Sequence, residues 1–186
     1  MKNLQNRRIV ILAADGYERN SLNLPREALL IAGAMTDLMS PTTKKVVADG
    51  SPADALLMRE ISEQRIAFCD GLLIPDGALV AEALIRHPPA LAAINNLAQR
   101  GKPLAVVGTA TRILSHLGLL DGYMVSSPES LRSEMLEGGA FWMNAPFAID
   151  SMIISARSGR ELSNFNNAMI EAIARTTTAH MSAQAR

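Results

Sequence analysis

KPLAVVGTATRIL (Lys102–Leu114) joins a four-residue apolar run, LAVV, to a turn of small residues, Gly108-Thr109-Ala110, and then to a helical pattern. A short, continuous apolar run of this kind suits a parallel strand buried on both faces. In α/β enzymes a strand-turn-helix corner often carries the nucleophile. Here the corner residue is Gly108, which has no side chain to react. The stretch has the shape of an active-site corner without a reactive atom.

Working outward, apolar runs and helical patterns alternate along the chain. The pattern predicts strands at 8–14, 35–39, 71–74, 104–107 and 152–155. Helices are expected at 24–32, opened by Leu24-Pro25 and stopped by Gly33, at 52–61, 89–100 and 110–117, and at 160–174. Asp49-Gly50 after 45–48 suggests a small hairpin, because Asp-Gly favours tight turns. Strand-helix alternation with short connections gives an α/β fold, a three-layer flavodoxin-like sandwich around a mainly parallel, doubly wound sheet. A single domain is expected over 1–175, with 176–186 a flexible tail because RTTTAHMSAQAR shows no periodicity.

In such sheets the working crevice lies beyond the carboxyl ends of the strands. That places Asp15-Gly16-Tyr17-Glu18, Pro75-Asp76-Gly77, Gly108-Thr109 and Ser126-Ser127 toward it. Cys69 precedes its strand and is expected at the opposite end, which argues against the chain's one thiol as nucleophile.

Composition narrows the function classes. The 186 residues carry 18 Lys+Arg and 18 Asp+Glu, so the net charge is zero and neither nucleic acid nor an anionic membrane is an expected partner. No apolar run approaches the roughly 18 residues of a membrane span. The basic residues before the apolar run at 9–14 resemble a signal peptide, but Asp15-Gly16 ends that run, and it reads as a first strand in a cytoplasmic protein. One cysteine excludes an internal disulfide, and no His/Cys/Asp cluster has metal spacing. AADGYE lacks the Gly-x-Gly-x-x-Gly that dinucleotide phosphates need, so no cofactor is expected.

The segments IVILAADGYE, PREALLIAGA, CDGLLIPDGA, GKPLAVVGTATRILSHLGLLDG, SEMLEGGAFW and ISAR, in this order, resemble the DJ/PfpI superfamily, the PfpI-type relatives of class I glutamine amidotransferases. The resemblance runs from Arg8 to about Ala174. In active relatives the corner reads Ala-Ile-Cys-His-Gly, with the cysteine beside a buried glutamate. The resemblance puts the cysteine position on Gly108, the following histidine on Thr109 and the glutamate on Glu18. The usual Gly-Gly after the central strand is Asp76-Gly77, so a carboxylate stands where relatives place oxyanion-binding backbone. A negative charge there opposes a developing oxyanion. Gly108 and the ADG at 48–50 also resemble the noncatalytic carboxyl-terminal domain of large-subunit catalases.

Each candidate has a plainer explanation beside it. Gly108 adopts strained elbow angles with little penalty. Glu18 is either a pocket acid or a carboxylate at a helix start, where it is favoured. Thr109 and Ser127 offer hydroxyls that need a base. Of the three histidines, His87 sits at a helix start, His180 in the tail, and His116 about 10 Å from the corner. Cys69 reads as a small buried hydrophobe, with Asp70 raising its pKa. Arg157 caps a helix start, neighbours the pocket or is a surface charge, and the surface reading is preferred.

No catalytic residue is expected, and Glu18, Asp76, Gly77, Gly108, Thr109 and Ser127 mark a vestigial pocket. The resemblance implies a noncatalytic protein that binds a small ligand near Glu18 and Gly108, or a protein partner, in a stress response. One alternative is a hydrolase, deglycase or glyoxalase-like enzyme working through Glu18, Asp76 and Thr109. The other is an assembly module like the catalase terminal domain. A homodimer is expected under all three.

Overall fold

A computed structural model describes residues 3–41, 45–160 and 162–184 of the chain. Its first half contains β1 (Arg8–Leu12), α1 (Arg19–Ile31), β2 (Met35–Ser40), β3 (Lys45–Ala48), β4 (Ser51–Leu57), β5 (Arg59–Glu60), α2 (Glu63–Ala67), β6 (Gly71–Ile74) and α3 (Ala78–Ile85). The second half contains α4 (Pro88–Gln99), β7 (Leu104–Val107), α5 (Thr111–His116), β8 (Met124–Val125), α6 (Arg132–Glu137), β9 (Phe141–Trp142), β10 (Phe147–Asp150), β11 (Ile153–Ala156) and α7 (Leu162–Gln184).

Among the described residues seven strands form the central sheet in the order β10-β11-β7-β6-β1-β2-β5. Every pairing in it is parallel except that of β10 with β11. The central strands β6 and β7 are buried along their whole length, as their unbroken apolar sequences GLLI and LAVV require. Helix α1 packs on α7, while α2, α4, α3, α5 and α6 pack in succession on one another, giving helices that flank the sheet. Among the described residues no helix is long and apolar enough to cross a membrane.

Strands β6 and β7 occupy the predicted residues, and β1, β2 and β11 lie within a few residues of theirs. Three expectations need correction. The region 52–61 is strand rather than helix, because the turn at Asp49-Gly50 folds β4 back along β3 as an antiparallel partner and β5 pairs in parallel with β2. Gly50 supports that turn with φ +71°. Helix α1 begins at Arg19, so Pro25 lies inside it; the start is set by a capping side chain six residues before Leu24. The last helix continues through Gln184 instead of ending near Ala174. The β3–β4 hairpin also serves the crevice. Val47 N–H donates to Asp15 Oδ1 (2.9 Å), and Gly16 N–H donates to Val47 O (2.9 Å). The loop leading into α1 is thereby held against the hairpin.

Candidate functional site

The loops after β1, β6 and β7 meet at one end of the sheet. At the corner after β7 the chain turns at Gly108, which is buried and has φ +58°. Residues Gly108–Ala110 make one tight 3₁₀ turn before α5 begins. Thr111, fully buried, fastens this turn by donating its hydroxyl to Gly108 O. A positive φ of this size is open to glycine at little cost, which explains the residue type without reference to chemistry.

Asp76, in the loop after β6, reaches across to this corner. Its Oδ1 accepts from Gly77 N–H (2.7 Å), Thr109 N–H (2.8 Å) and the Thr109 hydroxyl (2.7 Å). The carboxylate thus takes the two backbone donors that flank the corner, the arrangement that would otherwise face a developing oxyanion. A Cβ built on Gly108 would fall on the Asp76 carboxylate, far inside van der Waals contact. Gly77 is itself constrained: with φ +142°, a Cβ there would come within 2.6 Å of Gly16 O.

Glu18 stands at the start of α1 and caps it. Its Oε1 accepts from Asn20 N–H (3.0 Å) and its Oε2 from Ser21 N–H (2.7 Å), satisfying amides that lack partners in the first turn. A negative charge here also suits the helix dipole. Ser21, fully buried, then joins Glu18 to Asp76. Its hydroxyl donates to Glu18 O (2.7 Å) and accepts from Asp76 N–H (2.9 Å), while Glu18 N–H donates to Asp76 O (2.9 Å). The two carboxylates are therefore positioned by one closed ring of hydrogen bonds. Gly159 completes the fit, since a Cβ at that position would strike Glu18 Oε2.

Beside this ring lies a cleft of about 740 Å³ whose wall includes Glu18, Asp76, Arg157 and Arg160. Arg157 is half-buried at this cleft, with Nη1 donating to Asn144 Oδ1 (3.3 Å). The backbone explains its placement, because β11 ends at Ala156 and delivers Arg157 to the crevice.

The remaining candidates each have other partners. Thr109 gives its hydroxyl to Asp76, not to a histidine. Ser127 is fully buried; its hydroxyl accepts from Trp142 Nε1 (3.1 Å) and donates to Pro128 O (3.2 Å). His87 caps α4 by accepting from Ala90 N–H at Nδ1 (3.1 Å). Cys69 lies at the other end of the sheet, where its neighbour Asp70 donates N–H to Arg8 O at the start of β1. Burial first, with a smaller push from Asp70, raises its thiol to about 11, so it is protonated at neutral pH. Among the described residues no group of three or more His, Cys, Asp or Glu could hold a metal ion.

Sequence reasoning missed Ser21, Gly159 and Arg160. The spacing Glu18-x-x-Ser21 at a helix start was a readable capping signal, whereas Gly159 and Arg160 reach the crevice only through the fold.

Comparison with known proteins agrees with this architecture. A curated relative, Deglycase TK1284 from Thermococcus kodakarensis, is 26% identical over 158 residues, covering 83% of this chain and 92% of its own length. Among solved structures, Drosophila melanogaster DJ-1beta superposes with a TM-score of 0.80 at 17% identity, covering 94% of this chain and 91% of that one. A protein of Anabaena variabilis containing DJ-1/ThiJ/PfpI-like and ferritin-like domains gives a TM-score of 0.83 at 20% identity. That match covers 89% of this chain, which spans only 48% of the two-domain protein. The model of the DJ-1/PfpI family matches residues 7–172, and the chain belongs to that family.

Proposed function

We propose that this chain is a noncatalytic DJ-1/PfpI protein that binds a small polar ligand in the cleft beside Glu18, Asp76 and Arg157. The observation that carries this reading is the Asp76 carboxylate seated on Gly77 N–H and Thr109 N–H, with no room for a side chain at residue 108. Acyl or hemithioacetal chemistry at this corner needs a nucleophile and a free oxyanion site. Gly108 supplies no nucleophile, and Asp76 fills the donors. The cleft is nonetheless of a size that suits a small molecule. The proposed assembly is a homodimer, which light scattering of the purified protein checks.

A second reading is an enzyme using Glu18, Asp76 or Thr109, and the name of the Thermococcus relative favours it. Against it, Glu18 is engaged in capping α1 and Thr109 is bonded to Asp76. The two readings separate in one assay. Purified protein is incubated with glyoxal, methylglyoxal and a glycated amino acid, beside Glu18→Gln. The noncatalytic reading expects no turnover above background in either protein. Turnover that Glu18→Gln abolishes overturns it.

A further inference from the structure

We infer that Asp49-Gly50, at the tip of the β3–β4 hairpin, is a site of covalent self-modification, where the aspartate isomerises to isoaspartate through a cyclic imide. The inference stands apart from the ligand-binding reading, although the modified turn braces the same crevice.

Ring closure joins the Gly50 nitrogen to Asp49 Cγ, while the amide proton, a solvent proton and one carboxylate oxygen leave as water. Water then adds to one of the two imide carbonyls. Opening at the Asp49 main-chain carbonyl leaves isoaspartate, with the chain running through Cβ and Cγ; opening at the other returns aspartate. The reaction needs no other reactant. It does need a following residue without a Cβ to obstruct the attack, and a backbone that can bring nitrogen and Cγ together. The chain has five Asp-Gly pairs, at 15–16, 49–50, 70–71, 76–77 and 121–122, so the dipeptide alone does not choose among them. The fold does. Asp15 Oδ1 accepts from Val47 N–H (2.9 Å), and Gly16 N–H donates to Val47 O (2.9 Å). Asp70 pairs with Arg7 (2.9 Å) and accepts from Arg8 N–H (3.0 Å), with Gly71 buried at the start of β6. Asp76 accepts three donors at the elbow, and Gly77 is wedged against Gly16 O. Gly122 N–H donates to Gly139 O (3.0 Å). Each of these pairs must first break such contacts. Asp49 and Gly50 are both exposed, and among the described residues neither the carboxylate nor the Gly50 N–H has a hydrogen-bond partner. The product matters to the fold. Isoaspartate lengthens the main chain by one methylene inside the turn that sets the pairing of Ala48 with Ser51 and the bond from Asp49 N–H to Tyr17 O (2.9 Å). The loop before Glu18 thereby loses its brace.

The test keeps the purified full chain for weeks at neutral pH and body temperature. Its peptides are then mapped by electron-transfer mass spectrometry, which separates isoaspartate from aspartate. Isoaspartate at residue 49 is expected to exceed that at each of 15, 70, 76 and 121 by at least about tenfold, because the other pairs react only after local opening. In urea all five pairs are open, and the preference is expected to vanish. Asp49→Glu keeps the charge but would need a larger ring, so it is expected to leave residue 49 unmodified. The amides of Gly16 and Val47 are expected to exchange hydrogen faster in the aged parent than in aged Asp49→Glu. Modification led by any other pair, an even spread in the folded chain, or none there once the urea sample has reacted overturns the site. A preference for residue 49 that persists in urea overturns the claim that the fold selects it. Unchanged amide exchange overturns the link to the crevice loop.

Discussion

The carboxylate of Asp76 occupies the space that a side chain at Gly108 would enter. The two residues are 32 positions apart in sequence, on loops after adjacent parallel strands β6 and β7. Their identities are therefore coupled. Glycine at the corner makes room for the aspartate, and the aspartate fills what glycine leaves open. Gly108→Cys is expected to destabilise the fold by roughly 3 kcal/mol or more, from the positive φ and the collision together. Asp76→Gly in the same chain removes the collision, so the double variant is expected to be more stable than the two single costs predict. Denaturant melts of all four proteins give the coupling. Strict additivity would show that the two positions do not share space.

Removing Asp76 alone tests what its carboxylate does for the corner. Asp76→Ala leaves the Thr109 amide and hydroxyl without their acceptor and takes one of two partners from Gly77 N–H, which also approaches Thr109 Oγ1 (3.2 Å). The expected cost is about 1–3 kcal/mol, the usual range for polar groups left unsatisfied. Formate carries the same two oxygens and fits the vacated position. Millimolar formate is expected to raise the melting temperature of Asp76→Ala and not that of the parent protein. An equal response in both would mean that formate does not enter the corner.

Glu18 is expected to behave as a cap first. Glu18→Ala should cost about 1 kcal/mol through loss of the Asn20 and Ser21 amide acceptors, and Glu18→Gln less, since one amide oxygen remains. Gly159→Ala should disturb the same carboxylate from the other side, because its Cβ meets Glu18 Oε2. Thermal melts check the order Glu18→Ala below Glu18→Gln below the parent. A Glu18→Ala protein as stable as the parent would remove the capping role.

Much of this arrangement was readable in the chain, and the limits have physical causes. LAVV and GLLI identify β7 and β6 because strands buried on both faces are unbroken apolar runs, and the turns at their carboxyl ends put Asp76 and Gly108 at one crevice. That Asp76 would bind Thr109 could not be read, because the bond joins residues 33 apart and depends on strand register. The reverse error at 52–61 has the same origin. Pairing of β4 with β3 and of β5 with β2 decides that segment, and its own pattern does not. Pro25 misplaced the start of α1 because proline is commonest in a first turn, yet here the cap is the side chain of Glu18.

Cys69 supplies a prediction with a definite sign in pH. Its ordinary pKa is 9.0, and burial pushes it up to about 11 in the folded chain. Below pH 9 the thiol is protonated in both folded and unfolded chains, so it adds no slope. Between about 9 and 11 the unfolded chain releases the proton while the folded chain keeps it. The unfolded state then binds fewer protons, and stability falls as pH rises, by about 3 kcal/mol in all. Above about 11 the slope disappears. Tyr17, whose pKa burial also raises, titrates in the same alkaline region, so the measurement is a difference. Denaturant melts at pH 8, 9 and 10 are compared for the parent and Cys69→Ala. The parent is expected to lose stability more steeply, and iodoacetamide is expected to leave the folded thiol unmodified at pH 7. Parallel curves for the two proteins, or rapid alkylation of the folded chain, would show that Cys69 is not held in a buried, protonated state.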